Sequence, residues 1–189
     1  MTPRKLFVTV EGLSGCGKTT IAKMLAERWA ALYYKTPPAM FTPIREVVDR
    51  DASPLARHLY YYAGIAQASV EIETILREHA VICDKYVATM LAYSRAGGVT
   101  VDIPPAGLLL QPDFTFVLDV PDDVRLRRLA SRGPITPLHR EFLGMERELR
   151  VGEQFQQPGV VKVDNSTTGL MSAVETIMTY MQKKDVRWR

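Results

Sequence analysis

The sequence predicts an α/β domain in three layers, with a central parallel sheet of about five strands flanked by helices. Two observations carry that expectation. Short runs rich in β-branched residues alternate with longer stretches of helical period, and a glycine-rich loop joins the first run to the first helix. A third observation bounds it: 189 residues, 47% hydrophobic and 24% charged, suit one globular unit whose core needs neither disulfide nor structural metal. The whole chain, 1–189, is therefore expected to form a single domain.

In chain order, Leu6–Val10 is an apolar run of the kind that a parallel sheet buries on both faces. A helix is expected over Lys18–Leu32, directly after the glycine-rich loop. The stretch Thr36–Pro43 carries three prolines and reads as a loop, followed by a short helix over Ile44–Arg50. The next helix has Ser53 as N-cap and Pro54 in its first turn. Its apolar positions Leu55, Leu59, Tyr62, Ala66 and Val70 recur in steps of four and three, which carries it to about Glu78. Ala80–Cys83 is the second strand, Tyr86–Arg95 a helix, Phe114–Leu118 a strand and Asp122–Ser131 a helix. The stretch Arg132–Pro137 holds one glycine and two prolines and is a candidate for a mobile lid. Helices over Arg140–Gln154 and Thr168–Lys183 bracket a last strand at Val160–Val163.

Charge and composition narrow the function. Lys+Arg 24 against Asp+Glu 21 leaves +3, too little for a surface that tracks a nucleic-acid backbone, so no nucleic-acid partner is expected. No apolar run nears the roughly 20 residues that span a bilayer, and the longest, Phe114–Val120, is broken by Asp119. Glu11 and the glycine-rich loop follow Leu6–Val10 too soon for a signal peptide, so the expectation is a cytoplasmic protein with no membrane partner. Cys16 and Cys83 lack CxxC spacing and read as free thiols in a reducing compartment. His58, His79 and His139 have no carboxylate or second histidine at catalytic spacing and read as ordinary histidines.

The motif with the most chemical content is Gly12-Leu-Ser-Gly-Cys-Gly-Lys-Thr19, a match to G-x4-G-K-[ST] between a strand and a helix. Gly12, Gly15 and Gly17 let the backbone turn so that the N–H groups around Ser14 and Cys16 face inward, an anion cradle at a helix N-terminus. Lys18 adds a charge for the β- and γ-phosphates of ATP. The Thr19 hydroxyl is the expected Mg²⁺ ligand and Thr20 a further phosphate contact. Such a loop needs a carboxylate at the end of a neighbouring strand for the metal. Asp84, ending Ala80-Val-Ile-Cys-Asp84, is the first candidate and Asp119 the rival, although an Asp at that place also serves as a helix cap.

Four segments in order carry a family likeness: Val10–Thr20; Cys83-Asp-Lys-Tyr through Ala92-Tyr-Ser-Arg-Ala-Gly97; Pro112-Asp-Phe-Thr-Phe-Val-Leu-Asp-Val-Pro121; and Arg128-Leu-Ala-Ser-Arg132. Together they resemble the thymidylate kinase group of P-loop nucleotide kinases, with deoxynucleoside kinases as near relatives. The resemblance implies a three-layer P-loop kinase fold with a small arginine-bearing lid at about 132–141, moving the γ-phosphoryl of ATP to a small acceptor. It implies Lys18, Asp84, Arg128 and Arg132 as the catalytic set, Arg45 and Lys85 on the acceptor phosphate, and Asp164 in the loop around adenine. Tyr62, Gln67 and Ser94 fall in the region that meets the acceptor's base. Arg125 and Arg127 are read as solvated neighbours.

The sequence also departs from that family. Lys35-Thr-Pro-Pro-Ala-Met40 stands where the family has an acidic-Pro-Gly-Gly loop, and Asp84-Lys85-Tyr86 replaces Asp-Arg-Tyr, losing a bidentate fork. Ile65 stands where the family's base-contacting arginine is expected, and Ser94-Arg95 replaces its Gln-Gly pair. An altered base specificity is the expectation, since a polar group missing from a buried pocket changes discrimination by orders of magnitude. Three functions stay open at this point: a kinase acting on a monophosphate; one acting on a hydroxyl, with Glu46, Asp49 or Glu11 as base; and an ATP-binding regulatory module without turnover. The long helix from Ser53 is the candidate face for a homodimer.

Overall fold

The computed structural model describes residues 5–100, 102, 107–134, 140–141, 143–144, 149–150, 152–155, 159–166 and 170–184. Its centre is a five-stranded sheet made of β1 (Phe7–Gly12), β2 (Leu32–Lys35), β3 (Val81–Asp84), β4 (Phe114–Asp119) and β5 (Val160–Asp164). The strands run in the order β2-β3-β1-β4-β5, every neighbouring pair parallel. Around it, among the described residues, stand α1 (Lys18–Arg28), α2 (Thr42–Asp51), α3 (Pro54–Ile75), α4 (Val87–Ala96), α5 (Asp122–Ala130) and α6 (Leu170–Lys183).

Strand alternation sorts the core into two layers. Val8, Val10, Ile82, Phe116 and Val163 face α1 and α6, packing on Ile21, Leu25, Val174 and Ile177. Phe7, Val81 and Cys83 face the other way, onto Ile65, Ala68 and Ile72 of α3 and Met90 and Leu91 of α4. Helices therefore cover both faces, as the near-continuous apolar strands require. The carboxyl ends of all five strands lie along one edge: Val10 pairs with Asp84, Lys35 with Asp84, Gly12 with Leu118, and Asp119 with Asp164. In a sheet of this order that edge is where ligands bind.

Two sequence expectations are corrected. The helix expected over Lys18–Leu32 stops at Arg28, and Leu32–Lys35 is the edge strand β2. Ala30 takes the left-handed conformation at φ 50, and Ala31 N–H reaches back to Ala26 O, a helix stop that glycine normally signals. The stripe Leu55, Leu59 and Val70 on α3 faces outward at 57%, 57% and 61% exposure. The buried face of α3 is instead His58, Gly64, Ile65, Ala68, Ser69 and Ile72. Its start is as expected, with Ser53 Oγ accepting from Ala56 N–H and Pro54 in the first turn. The expected helix over Arg140–Gln154 falls partly, and the lid stretch at 135–139 wholly, outside the described residues.

Candidate active site

Three glycines at positive φ, Gly12, Gly15 and Gly17, shape the end of β1 and the loop after it, and each has a neighbour that admits no side chain. A Cβ on Gly15 (φ +83) would sit 2.8 Å from Arg125 O, and one on Gly17 (φ +99) 2.6 Å from Asn165 Nδ2. Glycine is required there for close approach as well as for conformation. Gly17 is also the N-cap of α1 and supplies no side-chain cap, so the first N–H groups of the helix face the loop's concavity. The Lys18 ammonium is buried, donating to Leu13 O at 2.7 Å with Cys16 Sγ at 3.6 Å. Burial opposes its charge, but Cys16, Tyr93 and Asp84 outweigh that and hold its pKa above the ordinary lysine value. Ser14 is fastened from α4, its N–H donating to Tyr93 OH at 3.3 Å and its Oγ lying 3.0 Å from the same hydroxyl.

Thr19 Oγ1 donates to Asp84 Oδ2 at 2.5 Å, and Tyr33 OH donates to the same oxygen at 3.1 Å. The other carboxylate oxygen of Asp84, Oδ1, is buried without a hydrogen-bond partner among the described residues. A fully buried carboxylate with one oxygen to spare, beside a hydroxyl at a phosphate cradle, has the hard-oxygen chemistry that suits Mg²⁺. Asp119 is exposed at the end of β4, two strands from β3, and its main-chain carbonyl accepts from Asn165 N–H.

The helix α5 docks on the loop through arginines. Arg125, read from the sequence as solvated, is 1% exposed: its Nη1 donates to Ser14 O at 2.8 Å and its Nε and Nη2 to Asp122 Oδ1. Arg127 is exposed and pairs with Asp123, as expected. Arg128 donates to Asn165 O at 3.0 Å, and its buried Nη1 has no hydrogen-bond partner among the described residues. Arg132 is exposed just beyond the helix. Asp164 points outward and caps Ser166 N–H, whereas the next residue, Asn165, is buried and donates from Nδ2 to Cys16 O at 2.8 Å. Sequence reasoning missed Asn165, although strand alternation from the exposed Asp164 carries that signal.

Beside the loop opens a cavity of about 830 Å³, open solvent included, between α2, α3 and α4. Ser14, Arg45, Lys85 and Ser94 line it, while Tyr62 and Gln67 do not. Gln67 turns to Glu71 (2.8 Å) and Tyr62 packs into the core. Tyr61 and His58 line the cavity instead. The signal was helical spacing: counting back from Ile65 by four and then three gives Tyr61 and His58, one face of α3. Arg45 lies over the Tyr61 ring at 5.9 Å and within 3.5 Å of Asp49, whose other oxygen accepts from Tyr61 OH. Burial opposes the Arg45 charge, but Tyr61, Asp49 and Tyr60 hold its pKa above the ordinary arginine value.

Lys85 is held at φ 70, a conformation rare outside glycine, by its N–H on Val10 O and its carbonyl, which accepts from Thr36 Oγ1 and Cys83 Sγ. Burial first, then the charges of Lys18, Arg45 and Lys35, press its pKa down to about 8 against the pull of Asp84. Glu11 is buried next to the loop, with Thr89 N–H and Oγ1–H both on its Oε2, and burial raises its pKa. Among the described residues no three His, Cys, Asp or Glu side chains cluster as a metal cage.

The comparisons with known proteins agree with this architecture. Residues 10–162 match the family model described as thymidylate kinase. The thymidylate kinase of Deinococcus radiodurans is 33% identical over 168 residues, 78% of this chain and 80% of that protein. The probable thymidylate kinase of Pyrococcus horikoshii is 27% identical over 205 residues, 94% of this chain and 97% of that protein. Among solved structures, the thymidylate kinase of Candida albicans superposes with a TM-score of 0.74 at 19% identity, covering 96% of this chain and 93% of the other. The cradle, the neighbouring cavity and the matched residues lead to one conclusion: the chain belongs to the thymidylate kinase family and is an ATP-dependent nucleotide kinase.

Proposed function

We propose that the chain transfers the γ-phosphoryl of Mg-ATP to the phosphate of a nucleoside monophosphate whose base is not read as the family reads thymine. The observation that carries this reading is the lining of the cavity beside Ser14: Arg45, Arg57 and Lys85 face it, and among the described residues no carboxylate does. Such a cavity attracts an anion. The carboxylates that a hydroxyl acceptor would need as base are engaged or outside: Glu11 is held by Thr89, Asp49 by Tyr61 and Arg45, and Glu46 is exposed. A phosphate oxygen is already a nucleophile and needs no base. Family membership argues against the ATP-binding module without turnover.

In this reading the loop N–H groups and Lys18 hold the β- and γ-phosphates, and Arg45 and Lys85 hold the acceptor phosphate in line. An acceptor oxygen bonds to the γ-phosphorus as the bond to the β–γ bridging oxygen breaks, releasing ADP; the transition state is loose, so positioning and charge do most of the work. Mg²⁺, held by Thr19 and Asp84, would neutralise the β- and γ-oxygens. Asn165 and Arg125 keep the loop in shape. Arg128, with a buried Nη1 to spare, and Arg132 are the lid-side cations for the transferring charge. Asp164 stands beside the adenine end of this arrangement.

The two free buried cysteines suit the reducing cytoplasm, and no helix among the described residues is long and apolar enough to cross a membrane. The outward stripe Leu55, Leu59 and Val70 is the face that a homodimer of this chain would bury.

The test is ADP release from Mg-ATP against a panel of nucleosides and nucleoside monophosphates, with products identified by mass and Lys18→Ala as control. A monophosphate converted to a diphosphate, lost in Lys18→Ala, supports the assignment. Phosphorylation of a hydroxyl refutes it.

A further inference from the structure

His58 is 8% exposed, yet it lines the cavity beside Ile65, Met90 and Val99. Its Nδ1 lies 2.8 Å from Ser94 Oγ. The single proton of that hydroxyl is already committed, because Ser94 Oγ donates to Met90 O at 2.8 Å, one turn back along α4. Ser94 can therefore only accept from His58, and Nδ1 must carry the proton. Burial also lowers the His58 pKa, which favours the neutral ring, and in the Nδ1–H tautomer Nε2 carries the lone pair.

Most of the other polar groups along the cavity are committed. The hydroxyls of Thr36, Tyr61 and Thr89 are engaged by Lys85 O, Asp49 and Glu11, and Arg57 forks to Asp49 O, Ala52 O and Glu141, leaving its Nε and the Tyr86 hydroxyl as buried lining atoms without a hydrogen-bond partner among the described residues. The phosphate end is marked by Arg45 and Lys85. Seven helical steps from Val87 to Ser94 carry the wall about 10 Å away from it along α4. On the proposed reading, a monophosphate held by those cations would extend its distal edge along this wall toward His58 and Ile65.

We propose that Ser94 fixes His58 in the Nδ1–H tautomer, so that Nε2 selects acceptors whose distal edge donates a hydrogen bond, an amino group rather than a carbonyl. His58 is the specificity-determining residue and Ser94 its positioning residue. A carbonyl placed against Nε2 meets a second lone pair, whereas an amino group pairs with it; a buried mismatch of this kind separates substrates strongly.

The inference rests on the monophosphate reading above, and the experiment separates the two. Steady-state kinetics with Mg-ATP compare deoxycytidine with deoxyuridine monophosphate, and deoxyadenosine with deoxyinosine monophosphate, each pair differing by amino against carbonyl. The expected wild-type kcat/KM favours the amino member of at least one pair by about tenfold or more. His58→Phe should bring that ratio to within about twofold of one, and His58→Gln, which still offers an acceptor, should restore part of it. Ser94→Ala should lower the ratio through the KM of the amino substrate, with the KM for ATP unchanged. A preference for the carbonyl members, or a ratio that survives His58→Phe, overturns the inference alone. No turnover of any monophosphate overturns the monophosphate reading and this inference with it.

Discussion

Lys85 offers the sharpest prediction, because in the proposed function its charge holds the acceptor phosphate, and its pKa, about 8, lies within the working range. Between pH 7 and pH 9 the protonated fraction of the free enzyme falls from about nine-tenths to about one-eleventh, so an acceptor that binds only the charged form loses about tenfold in apparent affinity. The acceptor's phosphate loses its second proton near pH 6 and so adds nothing over that interval. The assay is the acceptor KM at saturating Mg-ATP across pH 7–9, for the wild type and for Lys85→Arg, whose guanidinium stays charged throughout. We expect a tenfold rise in the wild type and a flat profile in the variant. The linkage has the opposite sign for stability. A cation whose folded pKa, about 8, is below the unfolded value of 10.5 leaves the unfolded chain with more protons between them. The free enzyme therefore gains stability as pH rises through that window, by at most about 3 kcal/mol. A wild-type acceptor KM that stays flat from pH 7 to 9, or one that rises equally in Lys85→Arg, refutes the assignment of Lys85 to the acceptor phosphate.

Two further predictions concern the loop. Asp84→Asn should leave the fold intact and require about 10–100-fold more Mg²⁺ for half-maximal turnover; an unchanged Mg²⁺ titration would move the role to Asp119. Arg125→Met strands the buried Ser14 carbonyl, which costs about 1–3 kcal/mol, and should lower the urea midpoint while raising the KM for ATP. A midpoint and KM like the wild type's would mean that Ser14 is held by Tyr93 alone.

The phosphate half of the site was legible in the sequence because its chemistry is local. Residues 12–19 act mainly through backbone N–H groups and conformation, and strand, loop and helix are consecutive in the chain. Asp84 was legible for a related reason, since a carboxylate at the end of an apolar run must emerge at the sheet's carboxyl edge. What the sequence hid depends on which way a helix is turned. Helix α3 is apolar on two sides, and the stripe with the cleaner period, through Leu55 and Leu59, is the outward one. Taking it as the core turns His58 and Tyr61 away from the ligand. Arg125 was hidden likewise: four arginines lie between 125 and 132, and only the approach of α5 to Gly15 buries one of them. The strand β2 was missed because an exposed four-residue edge has no apolar run to announce it.

The positions at which the chain departs from the family pattern are not scattered. Ile65, Lys85 and Ser94 all line the one cavity, while the residues that match the pattern most closely surround the neighbouring cradle. There is a physical reason for the division. Triphosphate binding relies on main-chain amides and glycine conformations, which accept few replacements whatever the acceptor is. The acceptor cavity reads its ligand through side chains, each of which shifts a preference without disturbing the fold. In the proposed function, a lysine in place of a guanidinium fork at 85 is a phosphate contact that pH can switch. With an apolar residue at 65 and a serine at 94, the proposed reading gives the choice of base to His58, which Ser94 touches. The three substitutions therefore act on one molecule, at its two ends, and the Lys85 pH profile and the amino-to-carbonyl ratio measure those ends independently.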